Sequence, residues 1–309
     1  MPSTKKFFKG LWKSIKQIVK ETLHPVETNA ASNTQNTEIA PITPTAPSTE
    51  ESSSNASSST QETFSFTPPS WDKCTKSSNW HGTHANQRMM NILSPRMSDS
   101  TFKDRLNFIK SRGCNTAHVI LCNKGDGESA GYSIYGQNFD WTIDKSYANK
   151  MLERLKILAK ENLGIVLWLA TDDCGDWNSK IISNPSKYVA DLYSLGFLKY
   201  ASTVVLGLEV DEYWKNSSYI HSFYKAVKAK YNGKVGVHQT SGKYNYMSLV
   251  DIAFVQVNPG TSKDHIKSFI KTVKSKTGKP VNMFEMERQE DRSRSEAALS
   301  AGAFAVGNW

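Results

Sequence analysis

Between residues 71 and 309 the sequence predicts an α/β fold of the (β/α)8, or TIM, barrel type, on three observations. The stretch is about 240 residues long, close to the ~250 typical of such a barrel. Along it, β-prone apolar runs alternate with segments of helical period, and repeated strand–helix alternation builds a parallel sheet. Two of the runs, 204–214 and 279–287, end in carboxylates. A charged group at the end of a buried strand is costly to desolvate and needs a reason. In barrels of this class the C-terminal strand ends carry the active site.

Each element has its own signal. The first strand is expected within 81–92. Residues 99–112 (DSTFKDRLNFIKSR) have helical period and stop at Gly113, a helix-ending residue. A strand over 116–122 (TAHVILC) follows. Asp144 is placed to cap a helix running to Asn162, and the apolar run 164–170 comes next. Helical patterns at 186–200 and 217–231 bracket the run that starts at Val204, and the second leads into a strand that ends at His238. Residues 251–258 (DIAFVQVN) read as a strand, 263–276 as a helix and 279–285 as the seventh strand. Ser293 and Glu296 have capping-box spacing ahead of a short helix, and 303–309 forms the last strand. No helical pattern follows it, so that gap is left open or is covered by another segment, for instance an N-terminal helix.

Ahead of the barrel the composition changes twice. Over residues 1–25, Phe8, Leu11, Trp12, Ile15, Ile18 and Val19 recur at three-four spacing, while Lys9, Lys13, Lys16 and Lys20 take the other face. This predicts a basic amphipathic helix over 5–23 that lies on a membrane surface or docks on a larger assembly; packing on the barrel is the alternative. The lysines interrupt any secretory core, and no run of eighteen apolar residues exists to span a bilayer. Residues 26–70 are dominated by Ser, Thr, Asn, Ala, Pro, Gln and Glu, too polar to fold, and read as a disordered linker.

Charge and cysteine content narrow the function. The net charge is +9, and over half of it sits in the first 24 residues. The remainder is mildly basic and lacks a helix-turn-helix or finger pattern, so no nucleic-acid partner is expected. Four cysteines without CxxC spacing give neither a disulfide framework nor a zinc site. His81 and His84 imitate a metal pair, but no third ligand stands at suitable spacing, so neither metal nor cofactor is expected. Cys122 and Cys174, at neighbouring strand ends, are read as buried free thiols that could touch.

Two carboxylates on separate strand ends suffice to cleave a glycosidic bond. The surrounding residues resemble the clan A glycoside hydrolases, the cellulase and β-mannanase superfamily, over roughly 80–309. Arg112-Gly-Cys-Asn-Thr-Ala-His118 looks like that clan's second-strand pattern, with His118 where an arginine is usual. Gly207-Leu-Glu-Val-Asp211-Glu212 resembles its fourth-strand signature, with Asp211 in place of the asparagine before the acid/base. Lys279-Pro280 through Glu285 resembles the seventh strand, and Trp309 the tryptophan that ends the eighth.

The resemblance implies a retaining endo-β-glycosidase acting on a polysaccharide or cell-wall glycan, with Glu212 as acid/base and Glu285 as nucleophile. Glu209 and Glu287 are the competing assignments. His118, Asp211, Trp214, His238, Gln256, Asn258 and Trp309 are expected to contact the sugar. A histidine beside the nucleophile is expected to be held protonated by it, and so to set the alkaline limb of activity. Tyr132, Tyr135, Trp141, Trp177 and Trp214 offer stacking faces or pack their own loops, and Asp172 and Asp173 bind sugar or cap the next turn. The rival readings are a glycan-binding barrel without catalysis (an adhesion or virion-surface module on a tethered anchor) and a muramidase that uses an Asp-x-Glu pair, which Glu209-Val-Asp211 imitates loosely.

Overall fold

The computed structural model describes residues 83–84, 90–111, 116–125, 129–258, 260–285 and 292–308. The expected helix over 5–23, the linker, His81 and Trp309 lie outside them. Eight strands form one sheet: β1 (Thr83–His84), β2 (Thr116–Ile120), β3 (Gly164–Trp168), β4 (Thr203–Val205), β5 (Lys234–Gln239), β6 (Ile252–Gln256), β7 (Val281–Glu285) and β8 (Ala305–Asn308). They are hydrogen-bonded in the order β1-β8-β7-β6-β5-β4-β3-β2, and every ladder is parallel.

The sheet is curled. His118 on β2 stacks on Phe284 of β7, ring centroids 4.7 Å apart, although four strands lie between theirs in the sheet order. Parallel strands covered on both faces need apolar residues at every position, and β2, β3 and β4 are buried throughout. Their two faces carry separate cores. Ile120, Val166, Trp168, Val205, Ile252, Phe254 and Phe284 pack on the concave side. The alternate residues, among them Val119, Leu167, Val204, Val237, Val255 and Met283, join the helices outside. Gly236 has no side chain because the Phe254 ring fills that space.

The main outer helices are α1 (Asp99–Ser111), α2 (Lys145–Lys160), α3 (Asp176–Ser183), α4 (Pro185–Ser194), α5 (Val210–Tyr213), α6 (Ser217–Lys228), α7 (Lys263–Thr277) and α8 (Arg292–Ser300). Their starts follow capping chemistry. Asp144 accepts from Tyr147 N–H at 3.1 Å, as its position predicts, and Asn184 accepts from Lys187 N–H with Pro185 opening α4. Asn216 and Ser262 cap α6 and α7, and α7 ends at Gly278 in the left-handed region, φ 66°. Among the described residues no helix is long and apolar enough to cross a membrane.

Three local expectations are corrected. The strand begun at Val204 does not run to the carboxylates: β4 ends at Val205, and residues 210–213 are helical. α3, too short to show a full apolar period, precedes the helix expected at 186–200. α8 starts at Arg292, so Ser293 lies within its first turn and not ahead of it.

Candidate active site

Beyond β4 the chain turns sharply. Gly207 permits the turn, because a Cβ there would overlap the Tyr213 hydroxyl and crowd Val210. Leu208 N–H donates to Ala170 C=O at 3.1 Å, and Leu208 drops into the concave cluster. Glu209 then adopts φ 48°, ψ 43°, left-handed backbone that costs a non-glycine residue about 1–3 kcal/mol. Its N–H donates to His238 Nδ1 at 3.2 Å, and its Oε1 accepts from Gln256 Nε2 at 2.7 Å. β5 therefore holds the backbone of Glu209 while β6 holds its carboxylate.

Gln256 also links this turn to β7. A register shift between Val255 and Gln256 brings Gln256 opposite Glu285, the last residue of β7. The residue before it, Phe284, is buried in the concave cluster. The Glu285 side chain and Glu287 lie outside what the structure describes.

Glu212 and its neighbours sit elsewhere. Glu212 is exposed on α5. Asp211, two residues from Glu209, has a side chain only 5% exposed and receives three donors: Thr240 N–H at 2.8 Å, Thr240 Oγ1 at 2.6 Å and Lys243 Nζ at 2.7 Å. Burial pushes this carboxyl upward, but the bonds from Lys243 and Thr240 outweigh it and hold the pKa below the ordinary value. Asp211 is thus spent tying α5 to the loop after β5. Trp214 is 2% exposed and packs on Phe223 and Tyr213, with no face open to a sugar.

The two histidines lie below the strand ends in an aromatic cage. Trp168 Nε1–H donates to His118 Nδ1 at 3.0 Å; His118 also meets Phe254 edge-on. His238 makes edge contacts with Trp168 and Phe284, at 5.8 and 5.4 Å. Burial drives His118 down to about 3, helped by the nearby His238. Burial likewise drives His238 to about 3 against the opposing pull of Asp211. Burial in the aromatic cage favours the neutral form of both rings, against the expectation of a protonated His118. Each ring accepts at Nδ1 and so carries its proton on Nε2.

The other expected contacts divide. Gln256 is half-buried at the site, whereas Asn258 is exposed past the end of β6, its carbonyl accepting from Thr261. Of the loop aromatics, Tyr132, Tyr135 and Trp177 are buried at 0–3% exposure, and Trp141 is partly buried. Tyr135, Trp141 and Trp177 surround Phe139. They brace the long excursion between β2 and α2, and the packing reading holds for these three and for Tyr132. The cap position of α3 is Gly175. Cys122 and Cys174 do touch, sulfur to sulfur at 3.7 Å, and both are free and buried. No group of three His, Cys, Asp or Glu able to hold a metal occurs among the described residues.

Glu209, the competing assignment from sequence, is the carboxylate that directly ends the apolar run Val204-Val-Leu-Gly-Leu.

Solved structures share this architecture. A family 5 glycoside hydrolase from Bacteroides vulgatus ATCC 8482 superposes with a TM-score of 0.54 at 16% identity, over 71% of this chain and 56% of its own. Another solved glycoside hydrolase gives 0.55 at 16% identity, over 70% and 59%. A family 1 β-glucosidase from Thermotoga maritima, in complex with isofagomine lactam, gives 0.51 at 10%, over 76% and 83%. No family model and no curated protein sequence matches the chain. The curled parallel sheet with its helices is thus a TIM-barrel-like fold similar to that of glycoside hydrolases, the class the sequence motifs resemble.

Proposed function

We propose that the chain is a glycoside hydrolase that cleaves a polysaccharide or cell-wall glycan by retaining double displacement, on a (β/α)8 barrel, with Glu209 as acid/base and Glu285 as nucleophile. One observation carries the reading: Gln256 donates to the Glu209 carboxylate and pairs through its backbone with Glu285. The two carboxylate-bearing strand ends meet at one residue, at the edge of the sheet where such folds place their chemistry. Glu209 is preferred to Glu212 because it ends the strand run and is tied into the site, while Glu212 faces solvent.

The proposed chemistry requires the two carboxyl groups to stand about 5–5.5 Å apart, the separation of a retaining enzyme. Glu285 attacks the anomeric carbon as the glycosidic bond breaks. Glu209, with Oε1 engaged by Gln256, transfers the proton carried on Oε2 to the departing oxygen. The ionised Glu209 then takes a proton from water, which displaces Glu285 with a second inversion. Residues 1–25 are proposed as a basic membrane-surface or assembly anchor and 26–70 as its tether, with 71–309 the hydrolase.

Reducing-end release from β-glucan, β-mannan, xylan and peptidoglycan tests the reading with the full chain. Hydrolysis of one class, abolished by Glu285→Gln, supports it. Binding to a glycan without release of reducing ends would instead support a non-catalytic barrel.

A further inference from the structure

The Glu209 turn is held at two separate points, and only one of them is the carboxylate. Gln256 fixes the acid group; the backbone N–H, turned inward by the left-handed conformation at φ 48°, finds its acceptor in a side chain, His238 Nδ1. A buried amide without an acceptor is destabilising, and Glu209 reaches the cage below it at this bond. His238 has little freedom of its own: it lies on β5, is fully buried, and is gripped by the Trp168 and Phe284 rings. Its accepting nitrogen is already used, so it has no acceptor left to offer a sugar hydroxyl.

We infer that His238 is a positioning residue, which by accepting the Glu209 amide fixes the left-handed turn and thereby aims the acid/base carboxylate. The inference rests on the glycosidase reading for its catalytic consequence, though not for the hydrogen bond itself. The bond requires the neutral Nε2–H tautomer, because an imidazolium would point N–H at N–H. Burial keeps the ring in that state, against the attraction of Asp211. The same cage holds His118, whose Nδ1 serves only the Trp168 indole, so two like histidines have different duties. His238 acts on the turn above it and His118 on the packing around it.

The experiment compares His238→Leu and His238→Asn in the full chain. Asparagine presents an oxygen close to where Nδ1 stands, whereas leucine fills space and accepts nothing. Amide hydrogen exchange at Glu209 reads the bond, and kcat and KM read its use. For leucine the expected result is faster exchange at Glu209 and a kcat lower by roughly 10- to 100-fold, with KM within about threefold, as for small misplacements of catalytic groups. Asparagine should restore both readouts to within about fivefold of the parent.

Unchanged exchange at Glu209 in His238→Leu would overturn the inference, as would leucine raising KM at constant kcat, the mark of a sugar-binding residue. Asparagine falling as far as leucine, with both folded by circular dichroism, would also overturn it. If the parent chain hydrolyses no glycan, the glycosidase reading is what fails. Exchange then remains the test: faster in leucine and restored in asparagine supports the clamp, and no difference removes it.

Discussion

Glu209 and Asp211 stand two residues apart on one turn and have opposite fates. Asp211 is locked, with three donors around a nearly buried carboxylate held ionised. Glu209 has its carboxylate engaged by the Gln256 amide and its backbone by His238. A fully satisfied carboxylate is a fastener: it cannot give up its ionised state without losing the bonds that order the loop. The proposed proton-transfer role is given to Glu209, whose backbone is strained, as strain clusters where function is.

The comparison can be broken from either side. Gln256→Leu removes the donor from Glu209 and should lower kcat on the order of 10- to 100-fold with little loss of stability, read by steady-state kinetics beside thermal denaturation. Asp211→Ala should do the reverse: it removes the bonds to Thr240 and Lys243 and should destabilise by about 2 kcal/mol. A large kinetic loss in Asp211→Ala at full stability would show that Asp211 serves the reaction instead.

Acid sharpens the contrast. Asp211 has a folded pKa below its unfolded value of about 3.9. Its contribution is therefore complete above the unfolded value and is lost as pH falls through the lower folded one. The stability difference between the parent and Asp211→Asn should be constant above about pH 5 and should shrink on further acidification. A difference that widens in acid would contradict the assignment of Asp211 as an ionised fastener.

His118→Leu should cost about 1–3 kcal/mol, chiefly by orphaning the Trp168 indole N–H. It should leave the alkaline limb of the pH–rate profile in place, since His118 is neutral with a pKa near 3. A shifted limb would revive the charge-tuning role. The smallest effect is expected at Cys122 and Cys174, fully buried and in mutual contact: peptide mapping should find both unlabelled by a thiol reagent until the chain unfolds.

Much of the fold was legible because buried parallel strands and amphipathic helices leave long, repeated patterns. The runs at 116–122, 164–170 and 251–258 and the cap at Asp144 all appear near their expected places. The site was less legible because its determinants are not periodic. Val210-Asp-Glu-Tyr213 reads as strand by its apolar company, and it becomes helix because Glu209 reverses the backbone just before it, a change no composition marks. His118 looked like a stand-in for a charged arginine. Its neutrality comes from Trp168, Phe254 and Phe284, which reach it from other strands. The loop aromatics could have stacked on sugar or packed their own loop, and sequence does not show which ring gathers them; here Phe139 contacts Tyr135, Trp141 and Trp177.

The most direct test of the account is a side-by-side kinetic comparison of Glu209→Gln and Glu212→Gln on the glycan that the unsubstituted chain cleaves best. Glutamine keeps the shape and removes the transferable proton. Loss of an acid/base should reduce kcat by about 10²–10⁴-fold, so Glu209→Gln should fall into that range while Glu212→Gln, exposed on α5, stays within about twofold of the parent. An active Glu209→Gln beside an inactive Glu212→Gln would contradict the account and return the acid/base role to α5.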